Sequence, residues 1–484
     1  MALHDLLITG GTVVSHEGSH RADIAISGET IAAIGAPGML GPAKEVLDAS
    51  GLHILPGAID VHVHYRDPGM AYKEDWDTGT AAAAMGGVTT VFEMPNTFPP
   101  TATPAALADK FRRASTARVD FGLYGLLAED NIDQLEGLIA GGAAAFKCFM
   151  GNTTGNLPSP STGAMLEGFE IIAKHGHRIS LHAETASIMA WRQAKLMAAG
   201  RKAPLDHLAA RPAIVAIEAV QRAASLAEWT GARVHVLHIS SADELRPLRE
   251  AQARGVDITG ETCPCYLMLD TDDYARLGPI IKVNPPVREP HHKAELWRAL
   301  NDGTIGQIAT DHAPHTPEEK RNPDIWEAGA GFPGVETLMP LMLNAVAEGC
   351  LSLEQLVRIS AYNPAKNFGL LPLKGQIAIG SHADLAIIDL SAETVIDQAK
   401  LHSTRARVTP FHGKRVKGLP LHTLLRGQFV MKNRSLVENS LGRGRSVHTL
   451  QKMPPAKPQR VEQSLASLLG LQGSDGTTLA QRKA

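Results

Sequence analysis

The sequence has little cysteine, almost no net charge and no apolar run long enough to cross a membrane. Four cysteines in 484 residues are too few for a disulfide framework, so we expect reduced thiols. The 47 Lys and Arg against 50 Asp and Glu give a formal net charge of -3, which excludes the basic field that attracts proteins to nucleic acid or anionic lipid. The N-terminal stretch also lacks the features of a signal peptide. We therefore expect a cytoplasmic protein that acts on a small molecule, with neither nucleic acid nor membrane as partner.

The two ends of the chain carry short β-prone runs separated by glycine-centred turns. This pattern covers residues 4–55 and returns from residue 375 in GQIAIGSHADLAIIDL, TPFHG and HTLLRGQFVMKN. It predicts a small β-sandwich domain built from residues 1–55 and 371–450. The tail, residues 451–484, is rich in Pro, Lys and Gln, and we expect it either to be disordered or to contact another subunit.

The central region, residues 56–370, alternates apolar β-like runs with segments of helical composition, as repeated βα units do. The runs predicted as strands are 57–64, 88–94, 119–127, 143–149, 177–183, 233–240, 256–263 and 305–311. A doubly wound sheet also accommodates eight strands, but it would not gather polar side chains from strands one, four, five, six and eight around one centre. We therefore predict an α/β fold whose main domain is a (β/α)8 TIM-type barrel.

Side chains with metal-binding chemistry lie at the carboxyl ends of the predicted barrel strands, where barrel enzymes place their active sites. These candidate metal ligands are His62, His64, Lys147, His182, His238 and Asp311. Because residues i and i+2 of a strand point to the same face, we expect His62 and His64 to bind one ion together. Such a set can hold two divalent ions around an activated water, which indicates a metal-dependent hydrolase.

Lys147 and Asp311 each allow a plainer interpretation. Lys147 lies in an apolar run, where an unpaired ammonium is costly, so its amine could extend to the surface or form a salt bridge. Addition of carbon dioxide would instead turn the amine into a carbamate whose two oxygens could each bind an ion. Asp311 could cap the following turn, or it could bind metal and carry a proton during catalysis. The ordered set of ligands favours the metal interpretation for both residues.

These motifs resemble the amidohydrolase superfamily and, within it, the dihydroorotases, over roughly residues 4–435. The resemblance implies a centre of two Zn2+ ions, bridged by N6-carboxylysine at Lys147 and by a hydroxide, with Asp311 as the catalytic proton carrier. It also implies that the bridging hydroxide attacks a ring amide carbonyl. Zinc is the expected metal because imidazole-rich sites suit it.

Further residues match positions at which dihydroorotases contact their substrate. These predicted substrate contacts are Arg66, Asn96, His315, Asn284, Thr153 and Thr154. The first three correspond to the trio that binds the substrate carboxylate in that family, and the planar fork of arginine suits such an anion. Their plainer alternatives are a loop salt bridge for Arg66, a turn for Asn96 and solvent exposure for His315. Thr153 and Thr154 resemble a mobile loop that closes over the substrate in some dihydroorotases. The plainer alternative for this segment is a glycine-rich connection.

The resemblance predicts a dihydroorotase, which interconverts L-dihydroorotate and N-carbamoyl-L-aspartate in pyrimidine biosynthesis, and a homo-oligomer, either dimer or tetramer. One departure is Cys265, where many relatives carry histidine or another residue. Two alternatives share the motifs. One is a hydantoinase, allantoinase or dihydropyrimidinase-like hydrolase of another cyclic ureide or imide, and the other is an inactive dihydroorotase-like scaffold. Assays with a panel of ring substrates would distinguish the first alternative from a dihydroorotase. Metal analysis would distinguish the second alternative from an active enzyme.

Overall fold

A computed structural model describes residues 3–151, 157–451 and 454–455 of the chain. Thr153, Thr154 and most of the predicted tail lie outside these residues. No helix within the described ranges combines the length and the apolarity needed to span a bilayer.

The described residues form nineteen strands and fifteen α-helices. The strands are β1 (His4–Thr9), β2 (Thr12–Val14), β3 (Ser19–Arg21), β4 (Asp23–Ser27), β5 (Thr30–Gly35), β6 (Ala43–Asp48), β7 (His53–Pro56), β8 (Ala58–Val63), β9 (Val88–Glu93), β10 (Asp120–Leu127), β11 (Ala145–Phe149), β12 (Arg178–His182), β13 (Arg233–Val236), β14 (Ile258–Thr262), β15 (Gln307–Ile308), β16 (Leu385–Val395), β17 (Arg415–Leu425), β18 (Gln428–Lys432) and β19 (Ser435–Leu436). The helices are α1 (Trp76–Met85), α2 (Pro104–Arg113), α3 (Leu135–Ala140), α4 (Thr162–Lys174), α5 (Ala186–Ala198), α6 (Pro204–Ala210), α7 (Ile214–Thr230), α8 (Leu245–Ala253), α9 (Pro264–Met268), α10 (Tyr274–Leu277), α11 (Pro290–Asp302), α12 (Pro317–Lys320), α13 (Leu338–Ala347), α14 (Leu353–Val357) and α15 (Asn363–Asn367).

Strands β8 to β15 form the barrel. Each pairs in parallel with its neighbour along the chain. The sheet closes where Val63 and His312 form a parallel bridge and the amide of His64 donates to the carbonyl of His312 at 2.7 Å. Strands β8 to β12 are buried along their whole length, because helices cover their outer faces and side chains fill the interior. The predicted barrel is thus confirmed, and each of the predicted runs contains an observed strand.

Two further sheets form the β-sandwich. One has the strand order β5-β4-β1-β6, and the other has the order β19-β18-β17-β16-β7-β2-β3. The second sheet unites both ends of the chain, since β16 pairs antiparallel with β7. Leu6 and Ile24 of the first sheet share one buried apolar core with Ile54 and Leu385 of the second. Both termini therefore build the sandwich, as the sequence predicts, while the domain limits after residues 55 and 370 stay a prediction.

The predicted strand TPFHG is wrong, because residues 410–413 form a turn. Pro410 has no amide hydrogen to donate to a strand ladder, and Gly413 has a φ of 83°, a left-handed conformation outside the strand region. The segment GQIAIG, which ends at Gly380 with a φ of 88°, likewise lies in bends and turns before β16 begins.

Candidate active site

The barrel places the candidate metal ligands in, or just after, the carboxyl ends of its strands. His62 lies in β8 and His182 ends β12, while Lys147 lies within β11. His238 follows β13 by two residues and Asp311 follows β15 by three. The closed barrel therefore turns residues that are distant in sequence toward one rim, as predicted from the strand ends.

His62, His64 and Asp311 form a compact group, which we call the metal group. The Nε2 atoms of His62 and His64 lie 3.2 and 3.0 Å from Oδ1 of Asp311. One ligand atom from each of the three residues lies within 4.8 Å of the other two. Two imidazoles and one carboxylate at this separation are a donor set that suits Zn2+, so the residues fit the metal expected from the sequence.

His182 and His238 form a second pair next to the metal group. Nδ1 of His182 lies 2.8 Å from Nε2 of His238, and their ring centroids are 4.7 Å apart. The His238 ring lies 5.4 Å from the ring of His62, which connects the two clusters. Nδ1 of His238 is buried and has no hydrogen-bond partner among the described residues. Four histidines thus converge on one buried region.

Burial keeps these histidines neutral. It lowers the pKa of His64 to about 4, and it lowers the pKa of His62 and His238 well below the ordinary value. The pKa of His182 is lowered for the same reason. A neutral imidazole has a free lone pair, which is the form that binds a metal ion.

Lys147 is buried and has no counter-ion among the described residues. Its side chain lies over the ring of Phe149, with Nζ 4.7 Å from the ring centroid, and the residue is 1% exposed. Within the described part of the chain, no carboxylate lies within salt-bridge distance of its Nζ. Burial lowers the pKa of Lys147 to about 7, so a large share of the amine is uncharged near neutral pH. This excludes both plainer interpretations, a surface lysine and a salt-bridged one.

The backbone at this rim is strained. Arg66, His238 and Asp311 have positive φ angles of 61°, 38° and 48°, in the left-handed region that side chains with a Cβ atom rarely adopt. Strain of this kind persists where the surrounding structure holds it, and it concentrates at functional sites. Here it coincides with three residues singled out from the sequence.

His64 and His182 are each held by a second polar residue. Nδ1 of His64 lies 2.7 Å from Oδ1 of Asn96, and Nε2 of His182 lies 3.0 Å from Oε2 of Glu184, which in turn binds Arg211. Asn96 therefore contacts a predicted ligand, which the sequence did not indicate. Sequence reasoning also missed Glu184, although it stands two residues after His182 in the motif LHAE.

Two further acids inside the barrel were not assigned a role. Asp60, on β8, accepts hydrogen bonds from the amide and the hydroxyl of Thr310 at 3.2 and 2.5 Å, just before Asp311. Burial raises the pKa of Asp60 to about 6. Glu261, on β14, contacts Nδ1 of His62 at 2.7 Å. The signal available in the sequence was the position of Glu261 near the carboxyl end of a predicted strand, the same signal that identified the ligands.

The guanidinium of Arg66 is buried beside the metal group. Its Nε donates to the carbonyl of Pro314 at 3.3 Å, while both terminal nitrogens are buried and have no hydrogen-bond partner in the described part of the chain. Arg66 is thus not engaged in a loop salt bridge, which was the plainer alternative.

His315 and Asn284 lie in the wall of a cavity of about 460 Å3. The ring nitrogens of His315 are both engaged, because Nδ1 lies 3.1 Å from Oε2 of Glu319 and Nε2 lies 3.1 Å from the carbonyl of Ala330. Oδ1 of Asn284 lies 2.9 Å from Nε2 of His207. Arg211 also lines this cavity, which places it close to the His182 pair. The contact of His315 with a substrate carboxylate stays a prediction, and its engaged nitrogens do not favour it.

A second cluster with metal-ligand geometry does not need a metal ion, because a lysine lies between its carboxylates. Asp120, His382 and Asp384 also bring ligand atoms within 4.8 Å of one another. There, however, Nζ of Lys374 lies 2.6 Å from Asp120 and 2.5 Å from Asp384. The ammonium supplies the positive charge that the carboxylates need, in contrast to the metal group at the rim.

Comparison with known proteins identifies the family. The model of the amidohydrolase family matches residues 53–430. An L-hydantoinase of Paenarthrobacter aurescens is 38% identical over 447 residues, which cover 91% of this chain and 97% of that protein. An allantoinase of Deinococcus radiodurans is 36% identical over 443 residues, which cover 91% of this chain and 98% of that protein.

Solved structures agree with the sequence relatives. The structure of L-hydantoinase (dihydropyrimidinase) from Arthrobacter aurescens superposes with a TM-score of 0.89 at 36% identity and covers 92% of this chain and 99% of that one. The dihydropyrimidinase from Brevibacillus agri gives a TM-score of 0.86 at 31% identity, covering 93% and 99%. These names support the alternative function predicted from the sequence, a hydrolase of another cyclic ureide, and give no support to dihydroorotase. The chain belongs to the amidohydrolase family and is a metal-dependent cyclic amidohydrolase related to hydantoinases, allantoinases and dihydropyrimidinases.

Proposed function

We propose that the chain hydrolyses a ring amide of a cyclic ureide or imide of the hydantoin, allantoin or dihydropyrimidine type. The main support for the proposal is the metal group at the barrel rim, in a chain whose alignment covers 97% of the length of an L-hydantoinase. The cavity of about 460 Å3 next to this rim has room for a small heterocycle, since ligand pockets measure about 300–1,000 Å3.

Under this proposal the donor set divides between two ions. His62, His64 and Asp311 would hold the first ion, His182 and His238 the second, and Lys147 would contact both as N6-carboxylysine. Bound Zn2+ would supply Lewis acidity, which polarises the ring carbonyl and lowers the pKa of water.

Asp311 moves the proton. Its side chain is 16% exposed, against 1% for His62 and 8% for His64, so it is the most accessible member of the metal group. Asp311 takes a proton as the water oxygen bonds to the ring carbonyl carbon, and it passes the proton to the ring nitrogen as the carbon–nitrogen bond breaks. The product is an open-chain N-carbamoyl acid, and ring closure follows the same steps in reverse.

Carboxylation of Lys147 is part of the proposal. The burial of an amine with no counter-ion supports it, because a carbamate would replace an unfavourable cation with an anion facing bound cations. After exchange with carbon-13-labelled bicarbonate, the wild-type enzyme is expected to show a carbamate resonance that is missing in Lys147→Arg. A spectrum that is identical in both proteins would remove this element of the proposal.

A second candidate substrate is dihydroorotate, and Arg66 favours it. The two terminal guanidinium nitrogens of this buried arginine have no hydrogen-bond partner among the described residues, and they can bind a ring carboxylate in a bidentate manner. Relatives are named for hydantoin and allantoin instead. We also propose, as predicted from the sequence, that the chain is cytoplasmic and forms a homo-oligomer.

The test is turnover of hydantoin, allantoin, dihydrouracil and dihydroorotate by purified, zinc-loaded protein. We expect turnover of at least one neutral ring, loss of that turnover after treatment with a chelator, and recovery when Zn2+ is added back. Turnover of dihydroorotate alone would establish the second candidate. No turnover combined with no metal binding would favour the inactive scaffold, whereas about two zinc ions per chain would indicate an enzyme.

A further inference from the structure

We propose that Glu261 is a positioning residue that orients His62 for metal binding through a buried chain of hydrogen bonds, His62–Glu261–His235–Thr259. The inference rests on the proposed metal role of His62, and it assigns a function to the acid that the sequence left unexplained.

The contacts of Glu261 are divided between two imidazoles. Oε1 lies 2.7 Å from Nδ1 of His62, and Oε2 lies 3.0 Å from Nε2 of His235. Nδ1 of His235 in turn lies 2.8 Å from the hydroxyl oxygen of Thr259. Glu261 and His235 are fully buried and His62 is 1% exposed, so water does not compete for these bonds.

The partners determine where the protons lie. Arg178 donates to the hydroxyl oxygen of Thr259 at 3.3 Å. The hydroxyl hydrogen has two acceptors within reach, the carbonyl of Val234 at 3.4 Å and Nδ1 of His235 at 2.8 Å, and the shorter contact favours Nδ1 of His235. His235 then carries its own hydrogen on Nε2 and donates it to Glu261. The other carboxylate oxygen accepts the Nδ1 hydrogen of His62, because a neutral imidazole with an acidic partner places its hydrogen toward that partner.

This tautomer leaves Nε2 of His62 with its lone pair free. That atom faces Oδ1 of Asp311 at 3.2 Å, inside the metal group. A carboxylate that holds the far nitrogen of a ligating histidine fixes both the tautomer and the ring orientation, and it raises the basicity of the ligating nitrogen. The chain of hydrogen bonds therefore orients the His62 ring so that Nε2 faces the proposed metal position.

The charge of Glu261 distinguishes this role from a purely structural one. Within the described residues, the carboxylate of Glu261 contacts the rings of His62 and His235, both of which are neutral, and no Lys or Arg lies within salt-bridge distance of it. A buried carboxylate without an ion-pair partner is strongly unfavourable. A cation held by His62 would supply the missing positive charge, so Glu261 should stabilise the metal-bound protein more than the metal-free protein.

The experiment compares Glu261→Gln with wild type in the metal-free and metal-loaded states. Zinc affinity, measured by competition with a chelator, is expected to fall about 10–100-fold, and the visible spectrum of the cobalt-substituted protein is expected to change. The metal-free variant should unfold at the same urea concentration as the metal-free wild type, or at a higher one. A residue that merely filled the core would give the opposite pattern, with a less stable metal-free protein and unchanged zinc affinity.

Asp23→Asn is the matched control. Asp23 is a buried acid of the sandwich whose two oxygens accept from the amides of Gly10 and Gly38 at 2.9 and 2.7 Å. This variant is expected to lose stability and to keep the zinc affinity and cobalt spectrum of wild type. Thr259→Val tests the chain of hydrogen bonds without touching Glu261 and should lower zinc affinity by less than Glu261→Gln.

Unchanged zinc affinity in Glu261→Gln would overturn the inference, as would unchanged affinity in Thr259→Val if the glutamine variant does not fold. Failure of the proposed function has a different signature, because wild-type protein would then bind no zinc at the site.

Discussion

Asp311 combines a strained backbone with the most exposed side chain of the metal group. We expect Asp311→Asn to lower kcat on the best ring substrate by about 10²–10⁴-fold, the usual contribution of a general acid or base, because an amide does not take up the proton. Circular dichroism should show an unchanged fold. Asp302→Asn, which changes a half-exposed acid at the end of α11, should keep wild-type turnover. Near wild-type kcat in Asp311→Asn would contradict the assigned role.

Substitution of Arg66 tests whether the site prefers an acidic or a neutral ring. A hydrogen bond to a charged group contributes about 1.5–3 kcal/mol, so Arg66→Met should raise the KM of an acidic ring about 10–100-fold and leave the metal content intact. The KM of hydantoin should change little, because that ring has no carboxylate to bind. Arg66→Lys keeps the charge without the planar fork and should give an intermediate KM. Equal changes for both rings would show that Arg66 supports the site structurally instead of binding an anion.

The convergence of the candidate metal ligands could be predicted from the sequence because strand periodicity and the rule for barrel rims determine where such side chains point. The partners of the other polar residues could not be predicted in this way. His315 contacts Glu319 because helix α12 begins with Thr316 as its cap, which folds the chain back onto the histidine. Glu261 lies on a strand with no ligand motif around it. The ring specificity could not be predicted from the metal ligands either, because the predicted ligands are the same for a hydrolase of an acidic ring and for one of a neutral ring.

At the scale of elements, helix α1 supports the loop that carries His64 and Arg66. A Cβ atom at Gly79 would lie 2.4 Å from the ring of Tyr65, which is fully buried and packs edge-on against Trp76 and His312. The close approach of helix and ring therefore depends on the missing side chain.

Gly79→Ala should consequently destabilise the protein by about 1–3 kcal/mol, as overpacking of a core does. Urea denaturation followed by circular dichroism measures the change. Gly163→Ala in α4 is the matched control, because its Cβ would meet only Ser161 Oγ at 3.8 Å. Alanine is the better helix former, so the control should be as stable as wild type or more so. A Gly79→Ala protein of wild-type stability would show that Tyr65 can move.

Strand positions were predicted better than strand ends. The last predicted run spans 305–311, but β15 covers only Gln307–Ile308. The chain leaves the sheet early because Thr310 binds Asp60 and Asp311 adopts a φ of 48°. Local composition does not reveal such a departure, since it depends on an acid 250 residues away in sequence.

At the scale of the whole molecule, a buried charge cluster joins the barrel to the sandwich. Lys374 binds Asp120 at the start of β10 and Asp384 just before β16, and Arg426 also binds Asp120. Burial alone would raise the pKa of Asp120, but Lys374 and Arg426 together lower it below its ordinary value. The resulting stabilisation is present above the ordinary aspartate pKa and is lost as the pH falls through the lowered one. Acid should therefore weaken the attachment of the sandwich to the barrel.

Lys374→Met tests this link directly. Removing one partner of a buried ion pair leaves uncompensated charge, which costs about 3–5 kcal/mol, so the free energy of unfolding at neutral pH should fall by that amount. The variant should also lose part of the stability difference between neutral and acidic pH, because Asp120 keeps only Arg426 as a cation. Lys44→Met, which breaks an exposed pair with Asp5, should leave the free energy of unfolding essentially unchanged. If Lys374→Met unfolded like wild type at both pH values, the barrel and the sandwich would be held together by apolar packing instead of by this cluster.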